Sequence, residues 1–302
     1  MMRVNKKYDM FYNPTDTFGV KAKKKITNGI VYAILIVLSL IWVLPFLYLF
    51  IQSFTNNYDP GAIIPRTGTW TLDNYKNLFT SDIYPFWRWY LNTLVIAIIL
   101  SVLTTGLTLM SAYAFSRLNF KFRKAYMKLI LVIGMFPGFL GMFISYQILK
   151  WLGLNGGYLG IAGLILISIS GCVGGYYISK GFFDTISKSL DEAAMIDGAN
   201  KNTIFWKVIM PLSKPIIVYT LLMGFTGPWG DYMFYSVIAS GDTKIFNVAV
   251  GLQQMLSKGY VQATVYPQFC AAAVVVSIPI MILFFKLQNY YVEGVTGGAV
   301  KG

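Results

Sequence analysis

The sequence has no histidine, and it sets only 12 Asp and Glu against 25 Lys and Arg, so that charged residues fill just 12% of its 302 positions. Without imidazole the chain lacks the commonest metal ligand and cannot form the Ser/His or Cys/His pairs of nucleophilic catalysis. Its two cysteines, Cys172 and Cys270, both fall inside long apolar runs. Two such isolated thiols make neither a structural disulfide nor a metal cluster, and they read as small apolar fillers. No GxxxxGK(S/T) stretch occurs, so if ATP drives this protein another chain binds the nucleotide. No internal repeat is visible, and the inverted halves of many secondary transporters are not evident. A polar stretch that includes Asn13, Pro14 and Asp16 precedes the first apolar run and no cleavage site follows it, so no secretory signal is expected and that run stays as an anchor.

What the chain does have is apolar length. Hydrophobic residues make up 56% of it, outside the usual composition of soluble domains. A crossing needs ~20 apolar residues, and six runs qualify: Gly29 to Ile51, Leu91 to Phe115, Ala125 to Leu149, Tyr158 to Ser179, Pro215 to Ile238, and Phe269 to Gln288. Pro45 and Pro137 read as kinks, Gly134, Gly138 and Gly141 as packing positions, and Gly171, Gly174 and Gly175 weaken the fourth run as a helix.

The net charge of +13 is sorted by side. Arg3, Lys6, Lys7, Lys21, Lys23, Lys24 and Lys25 precede the first run; Arg117, Lys121, Arg123 and Lys124 follow the second; Lys180, Lys188, Lys201, Lys207 and Lys214 follow the fourth. By the positive-inside rule these segments and both termini face the cytoplasm. A nucleic-acid surface would instead need its cations on one folded face interleaved with aromatics. The expected partner is lipid, with no nucleic acid.

The polar stretch between the fourth and fifth runs holds Asp191, Glu192, Ala193, Ala194, Met195, Ile196, Asp197, Gly198 and Ala199, followed by Phe205, Pro211 and Pro215. Ser189 with Glu192 three residues on has the spacing of a capping box and predicts a helix start there. Ala193 and Ala194 favour helix and carry almost no bulk, so another surface could approach the backbone, while Gly198 supplies a left-handed stop. A second helix is expected from Thr203 to Met210, where Ile204, Phe205, Val208 and Ile209 recur at helical spacing and Pro211 ends the pattern. This segment resembles the EAA loop by which membrane subunits of ATP-binding-cassette importers grip their ATPases. The resemblance implies an ATPase-coupling role for Glu192, Ala193, Ala194, Asp197, Gly198 and Ala199. The plainer alternative is a juxtamembrane helical hairpin resting on its own bundle, with Glu192 only stabilising a helix start.

From Asn92 onward most of the chain resembles carbohydrate importer permeases of the maltodextrin type. The similar stretches are Asn92 to Leu94; Lys180 to Phe183; Pro211 to Pro215; Ala249 to Gln254; and Gly294 to Gly302. The resemblance implies an all-α integral membrane protein with six transmembrane helices, the type I importer permease fold, and cytoplasmic coupling helices. It divides the chain into a basic cytoplasmic tail (1–28), a first transmembrane helix with external loop (29–90), a permease core (91–290) carrying the EAA loop (180–214), and a cytoplasmic C-terminal tail (291–302). It further implies that Gly297, Gly298, Lys301 and Gly302 reach between the ATPases, and that Gln253, Gln254, Lys258 and Tyr260 meet an extracytoplasmic sugar-binding protein. The chain would then sit in a bacterial cytoplasmic membrane with a second permease subunit and two ATPase subunits. It would be no enzyme and hold no metal or cofactor, the ATP and Mg being bound by its partners.

For the substrate route the sequence offers Trp229, Asp231, Tyr232 and Tyr235, next to Gly227, Pro228 and Gly230, where proline deletes a helical hydrogen bond. Aromatic faces beside polar groups suit stacking on sugar rings, and an acid in a span should face protein or water. Packing between helices explains the same residues. Gly230 stands where many of the similar permeases carry Asn. The competing functions are a permease for another sugar, a polyol phosphate or a peptide; a multi-spanning scaffold or insertion factor that moves nothing; and an intramembrane enzyme, against which stand the lack of paired carboxylates and of histidine.

Overall fold

A computed structural model describes residues 18–56, 70–257 and 265–299. Two units divide the chain, Met1–Ile51 and Gln52–Gly302. The first holds all but the last residue of α1 (Phe18–Gln52), whose apolar side chains from Ile30 to Leu47 are exposed, as a helix built for lipid requires. Pro45 lies within this uninterrupted helix.

The second unit is built on α3 (Phe86–Arg117), which packs against α11 (Lys214–Gly230), α7 (Tyr176–Thr185), α6 (Gly157–Gly171), α13 (Val248–Ser257) and the short α2 (Asp73–Thr80). α14 (Val265–Ala299) lies along α11, α13 and α2. Buried side chains form two clusters at opposite ends of α3. One gathers Phe86, Trp89 and Ile96 with Trp229, Tyr235, Phe246 and Val248. The other gathers Leu109, Tyr113 and Phe115 with Tyr176, Phe183, Ile204, Phe205 and Ile209. Among the described residues the only strand-like pairing is the isolated bridge Thr55–Trp70.

Three helices are long and apolar enough to cross a membrane, within α1, α3 and α14, and up to six crossings result if each of three bent pairs makes one. The expected third run is two helices, α4 (Arg123–Gly134) and α5 (Gly138–Trp151), bent by 98° with Pro137 as the N-cap of the second. Pro137 is a break and not a mild kink, because its ring denies the amide a continuing helix needs. A Cβ on Gly134, Gly138 or Gly141 would meet nothing within 4 Å, so none is a packing position within the described chain. The fourth run bends by 43° between α6 and α7 through a 3₁₀ turn, Cys172–Gly175. The fifth ends early: α11 runs through Pro228 to Gly230, and extended Asp231 starts α12 (Tyr232–Ala239), its Oδ1 accepting from the Phe234 amide at 3.0 Å. The break therefore falls three residues past the proline, where an Asp side chain can cap a new helix.

One buried asparagine holds that break, and a second ties down the segment that leads into α13. Asn247 is fully buried and donates to the Pro228 carbonyl (2.8 Å) and the Asp231 carbonyl (3.0 Å), while its Oδ1 caps α13 by accepting from Val250 N (3.0 Å). Asn92 donates to the carbonyls of Lys244 (2.8 Å) and Phe246 (3.0 Å), and Thr93 Oγ1 accepts from Val248 N at 2.8 Å. Carbonyls that a helix break frees inside an apolar bundle would otherwise cost about 1–3 kcal/mol each.

Candidate functional site

The polar stretch after α7 folds as α8 (Lys188–Ile196), then α9 (Lys201–Ile204), a π turn (Phe205–Ile209) and α10 (Met210–Leu212), after which the chain turns by 84° into α11. The helix start differs from expectation. Ser187, not Ser189, is the N-cap: its Oγ accepts from Ser189 N at 3.3 Å and pairs with the Ser189 hydroxyl at 2.7 Å. Glu192 is then five residues into the helix, too far along to reach back to the cap, and it is exposed. The expected capping box does not form.

The stop is as expected. Gly198 has φ +83°, and its amide bonds to the Met195 carbonyl (3.0 Å) while Ala199 N reaches the Ala194 carbonyl (2.9 Å). These two bonds are a Schellman motif, whose left-handed residue is glycine because a Cβ is disfavoured there. Asn200 then caps the next helix through Thr203 N at 2.8 Å. That helix does not end at Pro211: the π turn, in which Met210 N bonds to Phe205 O, carries it on to Leu212. Ser213 Oγ donates to the Ile209 carbonyl at 2.7 Å as α11 begins.

α8 is seated from below by Arg117, the last residue of α3. Its side chain is 3% exposed, and Nη2 donates to the carbonyls of Phe183 (2.9 Å) and Ile186 (2.7 Å) at the C-terminal end of α7, where a cation also suits the helix dipole. Nε lies 3.4 Å from Asp191 Oδ2. Ser116 Oγ donates to Asp184 Oδ1 at 2.6 Å, Asp184 pairs with Lys180, and Tyr113 OH donates to the Lys201 carbonyl at 3.0 Å. One end of α3 thus holds α7, α8 and α9 together.

Asp191 and Ala194 turn inward, whereas Glu192, Ala193, Met195, Ile196, Asp197 and Gly198 are exposed, with Ile196 87% exposed. The result is a small, partly apolar knob on a fixed base. The sequence reading missed Arg117 and Asp191 as its foundation. The available signal was an acid placed just before the alanine pair, opposite an arginine that closes an apolar run.

The other expected site residues are dispersed. Trp229 is buried, 5.3 Å from the Tyr90 ring and 5.9 Å from Phe225, and Tyr235 is buried in the same cluster. Tyr232 is exposed, and Asp231 is the half-buried cap of α12. Gln253 (exposed) and Gln254 (half-buried) lie on α13. Gly297 and Gly298 belong to α14, and Lys258, Tyr260, Lys301 and Gly302 lie outside the described residues. No group of His, Cys, Asp and Glu among the described residues could hold a metal ion.

Apolar helices long enough to cross a membrane, bent pairs beside them and an exposed knob fit a membrane subunit of a transport system, and comparison with known proteins gives that class. Residues 105–297 match the binding-protein-dependent transport system inner membrane component family, and the chain belongs to that family. It is 34% identical over 286 residues to the maltodextrin transport system permease protein MalD of Streptococcus pneumoniae, covering 94% of this chain and 99% of that one. It is also 34% identical over 288 residues to the galactooligosaccharides transport system permease protein GanQ of Bacillus subtilis, with the same coverage. The fold matches that of a chain in the crystal structure of a bacterial ABC transporter involved in the import of the acidic polysaccharide alginate, with a TM-score of 0.75 at 21% identity over 92% of this chain and 100% of that chain.

Proposed function

We propose that this chain is one membrane half of an ATP-driven importer for neutral oligosaccharides of the maltodextrin kind. It crosses the membrane six times, with both termini in the cytoplasm, and α8 docks on an ATPase partner. A second permease subunit completes the path, two ATPase subunits bind ATP and Mg, and an extracytoplasmic binding protein delivers the sugar. Gln253, Gln254, Lys258 and Tyr260 are assigned to that delivery surface, and Gly297, Gly298, Lys301 and Gly302 to the ATPase side.

The observation that carries this reading is the knob of α8, capped by Gly198 and seated on Arg117. Exposed apolar side chains on a rigid base suit a docking surface. The topology is supported by how contacts sort. The segments bearing the expected inner cations meet one another: Arg117 reaches the end of α7, and Tyr113 reaches Lys201. The expected outer segments also meet, since Asp242 accepts from Gly157 N at 2.9 Å and Asn92 reaches Lys244.

The test is purification of the chain with its bound partners from solubilised membranes, followed by sugar uptake into vesicles with and without ATP. Co-purification of an ATPase and ATP-dependent uptake of maltodextrin are expected. Uptake of a different solute after exchange of the binding protein would reassign the cargo, and partners without any uptake would turn the reading toward a scaffold.

A further inference from the structure

Between α3, the 3₁₀ turn Cys172–Gly175 and α11 lies a cavity of about 340 Å³ lined by Thr104, Thr108, Cys172, Tyr219, Thr220 and Met223 with three glycines and Ile178, within the ~300–1,000 Å³ usual for small-ligand sites. We propose that this cavity is the stretch of wall that the chain contributes to the solute path, and that it takes neutral polyhydroxylated ligands. The inference rests on the importer reading above and moves the contact residues away from Trp229 and Tyr235, which are spent on packing.

Three features point to it. First, the lining carries hydroxyls and no charge. On α3, Thr104 and Thr108 stand one turn apart on a single face, and on α11 Tyr219, Thr220 and Met223 recur at helical spacing. Second, the threonine protons are already committed to carbonyls. Thr104 Oγ1 donates to Leu100 O (2.6 Å), Thr220 Oγ1 to Ile216 O (3.0 Å) and Ile217 O (2.9 Å), and Thr108 Oγ1 to Cys172 O (3.3 Å). Each hydroxyl then has a lone pair left to accept a hydrogen bond. A row of acceptors between apolar walls fits a ligand rich in O–H donors, and the absence of a cation leaves nothing to neutralise an acidic sugar. Third, glycines set its limits. A Cβ on Gly224 would come within 2.9 Å of Ser101 Cα and of Thr104 Oγ1, so the helices touch and close the cavity there. At Gly171 and Gly175 a Cβ would meet nothing within 4 Å, and the cavity opens beside the helix break.

Cys172 provides a native reporter, since it lines the cavity while Cys270 is fully buried. In the assembled transporter in vesicles, a water-soluble methanethiosulfonate should modify Cys172, read by mass spectrometry of its peptide, and saturating maltodextrin should slow that modification several-fold. Thr104→Val and Thr220→Val should each raise the KM for uptake about fivefold, the worth of one hydrogen bond, with the maximal rate kept, and Thr104→Ser and Thr220→Ser should restore it. Modification by a lipid-soluble reagent alone would make the cavity a lipid or helix-contact surface and overturn the proposal. So would unchanged labelling in the presence of sugar, or valine variants with unaltered KM. Failure of ATP-dependent uptake in the unmodified transporter would instead sink the importer reading itself, so the two failures are separable.

Discussion

The Arg117 guanidinium stands 3.4 Å from the Asp191 carboxylate, joining the end of the central helix to the underside of α8. The same arginine satisfies two carbonyls at the end of α7, so its removal strips three interactions from one buried spot. Arg117→Met should cost about 3 kcal/mol or more, the usual scale for leaving one partner of a buried pair alone. Asp191→Leu in the same chain should return only part of this, because the α7 carbonyls remain without a donor. Thermal unfolding of the detergent-solubilised single and double variants measures the coupling. Full additivity of the two changes would mean that the pair contributes nothing.

Glu192 and Gly198 should separate docking from folding. Glu192 is exposed and caps nothing, so Glu192→Ala should change stability by less than ~0.5 kcal/mol, as at ordinary surface positions. Sugar uptake and sugar-stimulated ATP hydrolysis should nonetheless fall. Gly198→Ala should cost about 1 kcal/mol for the left-handed backbone, lowering both the melting temperature and uptake. Equal uptake by wild type and Glu192→Ala would remove this residue from the docking surface.

Gly251 lies against an indole. A Cβ there would fall 2.1 Å from Cε3 of Trp89, which is itself fully buried. Gly251→Ala should therefore destabilise by about 1–3 kcal/mol through overpacking. Trp89→Leu in the Gly251→Ala background should recover more stability than its cost in the wild type predicts. A melting temperature unaffected by Gly251→Ala would show that the indole can step aside.

Asp242 gives the fold a pH dependence of known sign. Hydrogen bonds from the Gly157 amide, and then from the Lys244 amide, hold its carboxyl below the usual carboxylate range. A group whose pKa is lower in the folded than in the unfolded chain contributes stability above the unfolded value, ~3.9 for Asp, and that contribution is lost as pH falls through the folded value. Asp242→Asn should be less stable than wild type at neutral pH, and the gap should close as the solution is acidified below about pH 4. Melting curves across that range provide the measurement. A gap that stays constant with pH would exclude the charge as its source.

Much of this architecture was legible from local chemistry. Apolar runs marked the three helices and the bent pairs that are long and apolar enough to cross a membrane, and Gly198 marked the end of α8 because glycine suits its left-handed backbone. The helix start was not legible, since Ser187 and Ser189 are equally able caps by type, and the contact that fixes the first turn, Asp191 against Arg117, joins distant parts of the chain. The sequence marks Pro228 as the place where a helical hydrogen bond is lost, yet the break falls at Asp231, for a related reason. Asn247 supplies the donors that let the chain part there, and its place beside Pro228 is set by tertiary packing. The third bend was seen only as Pro137, without its angle, because a proline tells that a helix changes course but not by how much.

The asparagine and threonine near one end of α3 and the arginine at the other make that helix a strut about 36 Å long between its two moorings, at ~1.5 Å per residue. It has no break along its length. A push on α8 therefore has little slack to lose before it is felt at α13, and a load on α13 bears on α8 by the same route.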